Sequence, residues 1–325
     1  SRLTASPDAL KLAKLDLKVD DSRLTGSMEI RNFASPAVRF DLALDKIDLD
    51  RYLDSGKPAG APAASAKSAP AAAAEQPVEL PLSTLRSLDV NGKFRIQEMK
   101  ALGLRSKDAH IQLNAKNGLI AFGPNQAKLY GGGYRGETVL DVRGKTPQVK
   151  MDEKLEQVQI GPLLKDMDLF DAYTGTGNIA LKAGAQGFDA GEITRSLNGN
   201  ANIAFRDGRI EGVDLNRMYK TIREKGDALD KLFRVVPQQG DFTKFGETTA
   251  SFQIANGVAT NRDLVIRAGE LLVTGQGTAN LVSEKLDYRI ELASSEDAGK
   301  KCKTIPVRVE GPFAKLSYAP AVDEI

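Results

Sequence analysis

The sequence predicts a mainly β protein: an extended, curled antiparallel sheet built from repeated strand units, with a few short amphipathic helices capping its end. Three observations predict it. Long stretches alternate with period two, as in Leu15, Leu17 and Val19 against Asp16, Lys18 and Asp20, which is how a sheet with one dry and one wet face reads. Turn pairs recur at short intervals: Asn91–Gly92, Asn117–Gly118 and Gly123–Pro124. The pattern of one strand unit also returns far downstream.

Residues 1–54 read as strands and as the end of a repeating β-groove. Met28 and Ile30 share a parity, and Val38, Phe40, Leu42 and Leu44 line one face against Arg39, Asp41 and Ala43. Residues 55–78 are rich in alanine and proline, with almost nothing large and apolar. Such a segment buries too little surface to offset the cost of ordering it, so a flexible linker is expected. Residues 79–325 then read as a C-terminal β-groove module. "LRSLDVNGKFRIQEM" opens it as a strand. Gly161–Pro162 starts a helix over 162–173 with Leu163, Met167 and Phe170 on one side, since proline suits a first helical turn. "LNGNANIAFRDGRIEGVDL" reads as a hairpin turning at Asp207–Gly208. Helical segments follow over 214–236, with Asp214 and Asp227 as caps. Strands fill the remainder.

Several function classes are disfavoured. Lys+Arg number 45 and Asp+Glu 43, and the signs are interspersed, so no basic face for nucleic acid is expected. No apolar run approaches the length of a bilayer span, and no signal peptide is evident at Ser1. Cys302 and His110 are single representatives of their types, too few for a His/Cys metal site, and Cys302 has no His near it in sequence and no activating setting for a nucleophile. Gly131, Gly133 and Gly136 fit a G-x-G-x-x-G spacing. A dinucleotide loop needs a helix after the glycines, yet Thr138, Leu140 and Val142 continue as a strand, so a hairpin is expected. The reading is non-enzymatic, with no catalytic residue, no metal and no cofactor.

The repeat aligns Pro36 with Pro147. Val38, Phe40, Leu44, Ile47, Leu49 and Leu53 then fall on Val149, Met151, Leu155, Val158, Ile160 and Leu164, and Gly26 matches Gly136 with one gap. Repeated strand units stack along one axis, so their apolar faces add up to one surface. That surface is either an ordinary core or a groove with room for an acyl chain. The residues expected to line such a groove are Leu15, Leu17, Val19, Val38, Phe40, Leu42, Leu44, Val149 and Met151.

"LYGGGYRGETVLDV", "LNGNANIAFRDGRIEGVDLNRMY" and "TIPVRVEGPFAKLSY", in this order, resemble the C-terminal region of AsmA-family proteins. The resemblance implies a Gram-negative envelope protein held in the inner membrane by an N-terminal helix absent here, with the remainder in the periplasm. It further implies similarity to bridge-like lipid transfer proteins, whose curled sheet conducts phospholipid or another acyl lipid toward the outer membrane. It leaves an outer-membrane or periplasmic protein partner at the distal end open. The alternative is an assembly factor for outer-membrane proteins, pairing with client strands through exposed strand edges.

Overall fold

The computed structural model describes residues 2–53, 81–167, 173–212, 214–217, 219–220, 240–294, 304–313 and 315–320. The first strands are β1 (Arg2–Ser6), β2 (Ala9–Val19), β3 (Ser22–Arg31) and β4 (Ala37–Asp48), followed by the helical turn α1 (Asp50–Leu53). The expected linker at 55–78 lies outside the described residues. Next come α2 (Leu82–Ser87), β5 (Asp89–Ala101), β6 (Leu104–Lys116), β7 (Leu119–Leu129), β8 (Gly132–Asp141), β9 (Gln148–Gln159) and α3 (Ile160–Asp166). The rest is β10 (Tyr173–Gln186), α4 (Ala190–Arg195), β11 (Asn198–Glu211), β12 (Phe242–Ala255), β13 (Val258–Ala268), β14 (Leu271–Asn280), β15 (Lys285–Ser294), β16 (Ile305–Pro312) and β17 (Ser317–Pro320).

Among the described residues, all seventeen strands belong to one sheet. Each pairs with its neighbours in the chain, so the ladder runs from β1 to β17 in sequence order. The sheet is curled and unclosed. Every pairing is antiparallel except β4–β5, which is parallel. A parallel pair needs a long crossover, and the stretch between Asp48 and Asp89 supplies it. No helix among the described residues is long and apolar enough to cross a membrane.

Curling is built into the strands. Lys14, Asp108, Gln157 and Asp207 have φ of 57°, 49°, 55° and 50° in the interiors of β2, β6, β9 and β11. Each lies at a register shift. A bulge bends its strand and raises the local twist, and it also slips the alternation by one residue. Asp207–Gly208 is therefore a bend inside β11, not the expected hairpin turn. Glycine is required there, because a Cβ at 208 would sit 1.9 Å from Cζ of Phe245. Asn91–Gly92 and Gly123–Pro124 likewise lie inside β5 and β7, whereas Asn117–Gly118 is the β6–β7 turn as expected. The triple-glycine stretch is the β7–β8 hairpin, with strand on both sides.

The helices close the sheet's margins. In α2, Leu82 and Leu85, followed by Leu88, pack on Ala115, Ile120 and Val142. Arg86 pins it by donating from Nε to the Val142 carbonyl at 2.7 Å. Sequence alternation had placed residues 85–87 in a strand. Their period-three leucines form a signal too short to outweigh the strand that follows. In α3, Ile160 and Leu163 are buried against Leu129 and Val158, while Met167 is exposed and Phe170 lies outside the described residues. Asp214 accepts from the Arg217 amide at 2.9 Å, capping the helical residues 215–217 and 219–220 as expected. The segment headed by Asp227 lies outside the described residues. The sequence reading missed α4, whose cap is Asp189 accepting from the Glu192 amide at 2.8 Å while Glu192 Oε2 accepts from the Phe188 amide. This D-x-x-E pattern was the available signal.

Candidate functional site

Directly opposed residues in a sheet share a face. Following partners from strand to strand draws one row across the molecule: Leu3, Leu12, Met28, Phe40, Gly92, Leu113, Phe122, Thr138, Met151, Ala183, Gly199, Ile254, Ala259, Ala279, Leu286 and Gly311. Thr138 is its one polar member. This row is apolar in fifteen of sixteen consecutive strands, and the side it marks forms the floor of the curl.

The nine groove residues expected from the sequence all lie on this floor. Leu15 and Leu42 meet across Gly26, and Leu17 and Leu44 meet across Leu24. Val19 shares the parity of Leu17. Val38 opposes Ile30, and Phe40 opposes Met28. Val149 and Met151 stand five strands further on, against Leu140 and Thr138. Their burial differs, which the sequence could not reveal. Leu15 and Leu42 are buried, Leu17 and Val19 are 45% and 49% exposed, and the other five are half-buried. Phe40 leans over Gly92, where a Cβ would meet its ring at 2.1 Å, and reaches Phe94 with ring centroids 4.5 Å apart. The outer face carries cross-strand ion pairs instead, such as Arg23–Asp16 at 2.7 Å and Arg95–Asp41 at 2.8 Å.

The floor changes character along the sheet. Over β1–β11 most of its larger side chains are half-buried or exposed, Phe122 being 41% exposed. Over β12–β16 it is sealed. Phe245, Leu271, Val273, Leu292 and Val307 form a buried cluster, with Leu215 and Tyr219 packed against it. The curl is thus an open trough that ends in an ordinary core.

The repeat is structural. Gly26 opposes Leu42 as Gly136 opposes Glu153, and β4 runs into α1 as β9 runs into α3. Where the first unit has Leu24, Met28 and Leu42, the second has Tyr134, Thr138 and Glu153. The three exchanged residues touch: Tyr134 Oη donates to Glu153 Oε2 and Thr138 Oγ1 to Glu153 Oε1, both at 2.7 Å. Burial, then the Glu153 carboxylate, pushes the Tyr134 phenol above its usual range. Polar groups removed from water need partners, and these three supply one another's. Sequence periodicity missed this interruption because the groups that satisfy Glu153 lie on the neighbouring strand. Glu153→Leu is expected to cost about 1–3 kcal/mol by leaving hydroxyls unpaired. Adding Tyr134→Leu and Thr138→Met should recover most of that loss in urea denaturation. A triple variant no more stable than the single would refute the set.

Among the described residues, no group of His, Cys, Asp and Glu could hold a metal ion. His110 lies in β6 opposite Arg95, and Cys302 lies outside the described residues.

A family model described as "AsmA family" matches residues 3–264, more than half of the chain. Protein AsmA of Escherichia coli (strain K12) is 23% identical over 333 residues, covering 97% of this chain and 53% of that protein. AsmA family protein YhjG of the same organism is 25% identical over 237 residues, covering 70% of this chain and 32% of that protein. The chain thus spans about half, or less, of the length of these relatives. No solved structure gives a significant match. Such membership supports an envelope-related function. With a matching model over most of its length and a repeat-built β trough, the chain belongs to the AsmA family.

Proposed function

We propose that this chain is a non-enzymatic length of lipid conduit. In this reading it lies in the periplasm, belongs to a protein attached to the inner membrane, and carries the acyl chains of phospholipid toward the outer membrane. The observation that carries the reading is the row across β1–β11, apolar at every strand but β8, where it holds Thr138, and flanked by half-exposed aliphatic side chains. Magnitudes favour transport over a single bound ligand. Seventeen strands about 4.8 Å apart extend roughly 77 Å along the ladder. One lipid tail spans half of a ~30 Å hydrocarbon core, or about three strand spacings. The open floor therefore has room for several tails in file, each gaining about 0.8 kcal/mol per CH₂ removed from water. Movement is passive sliding along a nearly uniform aliphatic surface, and direction is imposed elsewhere.

The test is twofold. Mass spectrometry of the protein purified from cells should find co-purifying phospholipid. Leu44→Glu places a carboxylate on the half-buried floor between Leu24 and Ile96 and should abolish lipid transfer between vesicles while the protein stays folded by circular dichroism. Retained transfer in that folded variant would remove the trough from the mechanism. A second reading is an assembly factor that pairs client strands with a sheet edge, and a protein working that way would tolerate Leu44→Glu.

A further inference from the structure

The middle of the trough floor is aliphatic on either side of one short polar stretch. On β5 and β6 its positions are Phe94, Ile96, Ala109 and Ile111, and on β10 and β11 they are Ile179, Leu181, Ala201 and Ile203. Between these lengths three adjacent rows cross β7–β9: Phe122–Thr138–Met151, Asn125–Gly136–Glu153 and Ala127–Tyr134–Leu155. Opposed residues share a face, so every row brings a polar side chain onto the floor. Tyr134 and Thr138 donate to Glu153. Asn125 stands beside the Tyr134 hydroxyl, and its Oδ1 accepts from the Gln112 amide at 3.0 Å. Gly136 makes room for the group, because a Cβ there would fall on Glu153 Oε2 and Tyr134 Oη.

The margins narrow the way round. At the same strands α2 packs on Ile120 and Val142 on one side, and α3 packs on Leu129 and Val158 on the other. The width left between the two helices is the width that holds the polar groups. Within it Glu153 is the costly member. The ion pairs of β8–β10 lie on the outer face, as in Arg135–Glu156 and Lys182–Asp152, both at 3.6 Å. Glu153 makes no ion pair among the described residues, and each of its oxygens has one hydroxyl partner. A carboxylate has about four acceptor sites, and this half-buried one reaches water through the open side of the trough.

An acyl chain lying across these residues displaces that water and offers no hydrogen bond in return. Stripping a charged group costs more than losing an ordinary hydrogen bond, while a CH₂ gains no more here than elsewhere on the floor. We infer that this polar band is the slow step of the trough: acyl chains slide along the aliphatic lengths before β7 and after β9, and pass between them by crossing Glu153. The inference rests on the trough reading above and adds the place where flux is limited. The first repeat unit shows the same floor without a band, since Leu24, Met28 and Leu42 stand where the second has Tyr134, Thr138 and Glu153.

The experiment measures transfer of a phospholipid with a fluorescent tail between phosphatidylcholine vesicles by the whole chain. Tyr134→Leu, Thr138→Met and Glu153→Leu together rebuild the floor of the first unit. Transfer should become at least about tenfold faster, the factor implied by one hydrogen bond to a charged group. Glu153→Gln removes the charge, still offers the hydroxyls a partner, and should give part of that gain. It also decides the matter should the triple variant not fold. Unchanged transfer in the folded variants overturns the band as the slow step and leaves the trough standing. Slower transfer would mean that the polar groups hold lipid in place, which overturns the inference equally. A wild type that transfers no phospholipid overturns the trough and the band with it.

Discussion

A photo-crosslinking side chain placed at Leu44 is expected to capture phospholipid in cells, and one placed at Asp41 is not. The two positions are three residues apart on β4 and differ in face. Leu44 is half-buried on the floor between Leu24 and Ile96. Asp41 is exposed on the outer surface, with its carboxylate 2.8 Å from Arg95. An acyl chain gains roughly 0.8 kcal/mol for each CH₂ it buries, and it can do so on one face only. The labelling ratio should therefore exceed about tenfold, since two such CH₂ groups already give 1.6 kcal/mol and tenfold is 1.4. Leu42 is a poorer probe position, because at 4% exposure its replacement would test packing. Comparable lipid capture at both positions would mean that contact follows general exposure, and the trough would lose its role.

Leu271→Ala is expected to cost about 2–5 kcal/mol, whereas Met151→Ala should cost under about 1 kcal/mol, the usual range for sites away from a packed core. Both residues occupy floor positions in alternating strands. Leu271 is 1% exposed within the cluster of Phe245, Val273 and Leu292. Truncation there leaves a cavity and the lost contacts of its lining. Met151 is half-buried between Thr138 and Ala183, and water can take the place of its removed atoms. Urea denaturation with an unchanged m-value measures the difference. Equal costs at the two sites would show that β9 belongs to a packed core and that its floor is unavailable to a ligand.

Much of the architecture was legible because strand alternation reports directly on faces. The nine floor residues share a face because period two places them there, and the Gly26/Gly136 repeat survives in the register. Errors gathered where a local signal has two structural outcomes. Asp207–Gly208 and Asn91–Gly92 carry turn chemistry, yet long ladders on both sides absorb them as a bend or as plain strand. The slip at Lys14 moves the floor from Leu12 to Leu15, so simple alternation loses phase there. At Glu153 the polar residue faces the floor because Tyr134 and Thr138, brought in by β8, satisfy it. No spacing rule within one strand contains that information.

The sequence by itself determined that the chain is β, that it repeats, and that one side of nearly every strand avoids water. These are properties of side-chain order along single strands. The tertiary structure decided where that side stays open and where it is sealed. Alternating apolar positions end as trough in β4 and as core in β14, because burial depends on what crosses the curl from distant strands and helices. Leu215 and Tyr219 pack against the core at one end. Over β4 the described residues leave Leu44 half-exposed, and that difference in coverage separates a surface that can hold a lipid from one that holds only itself.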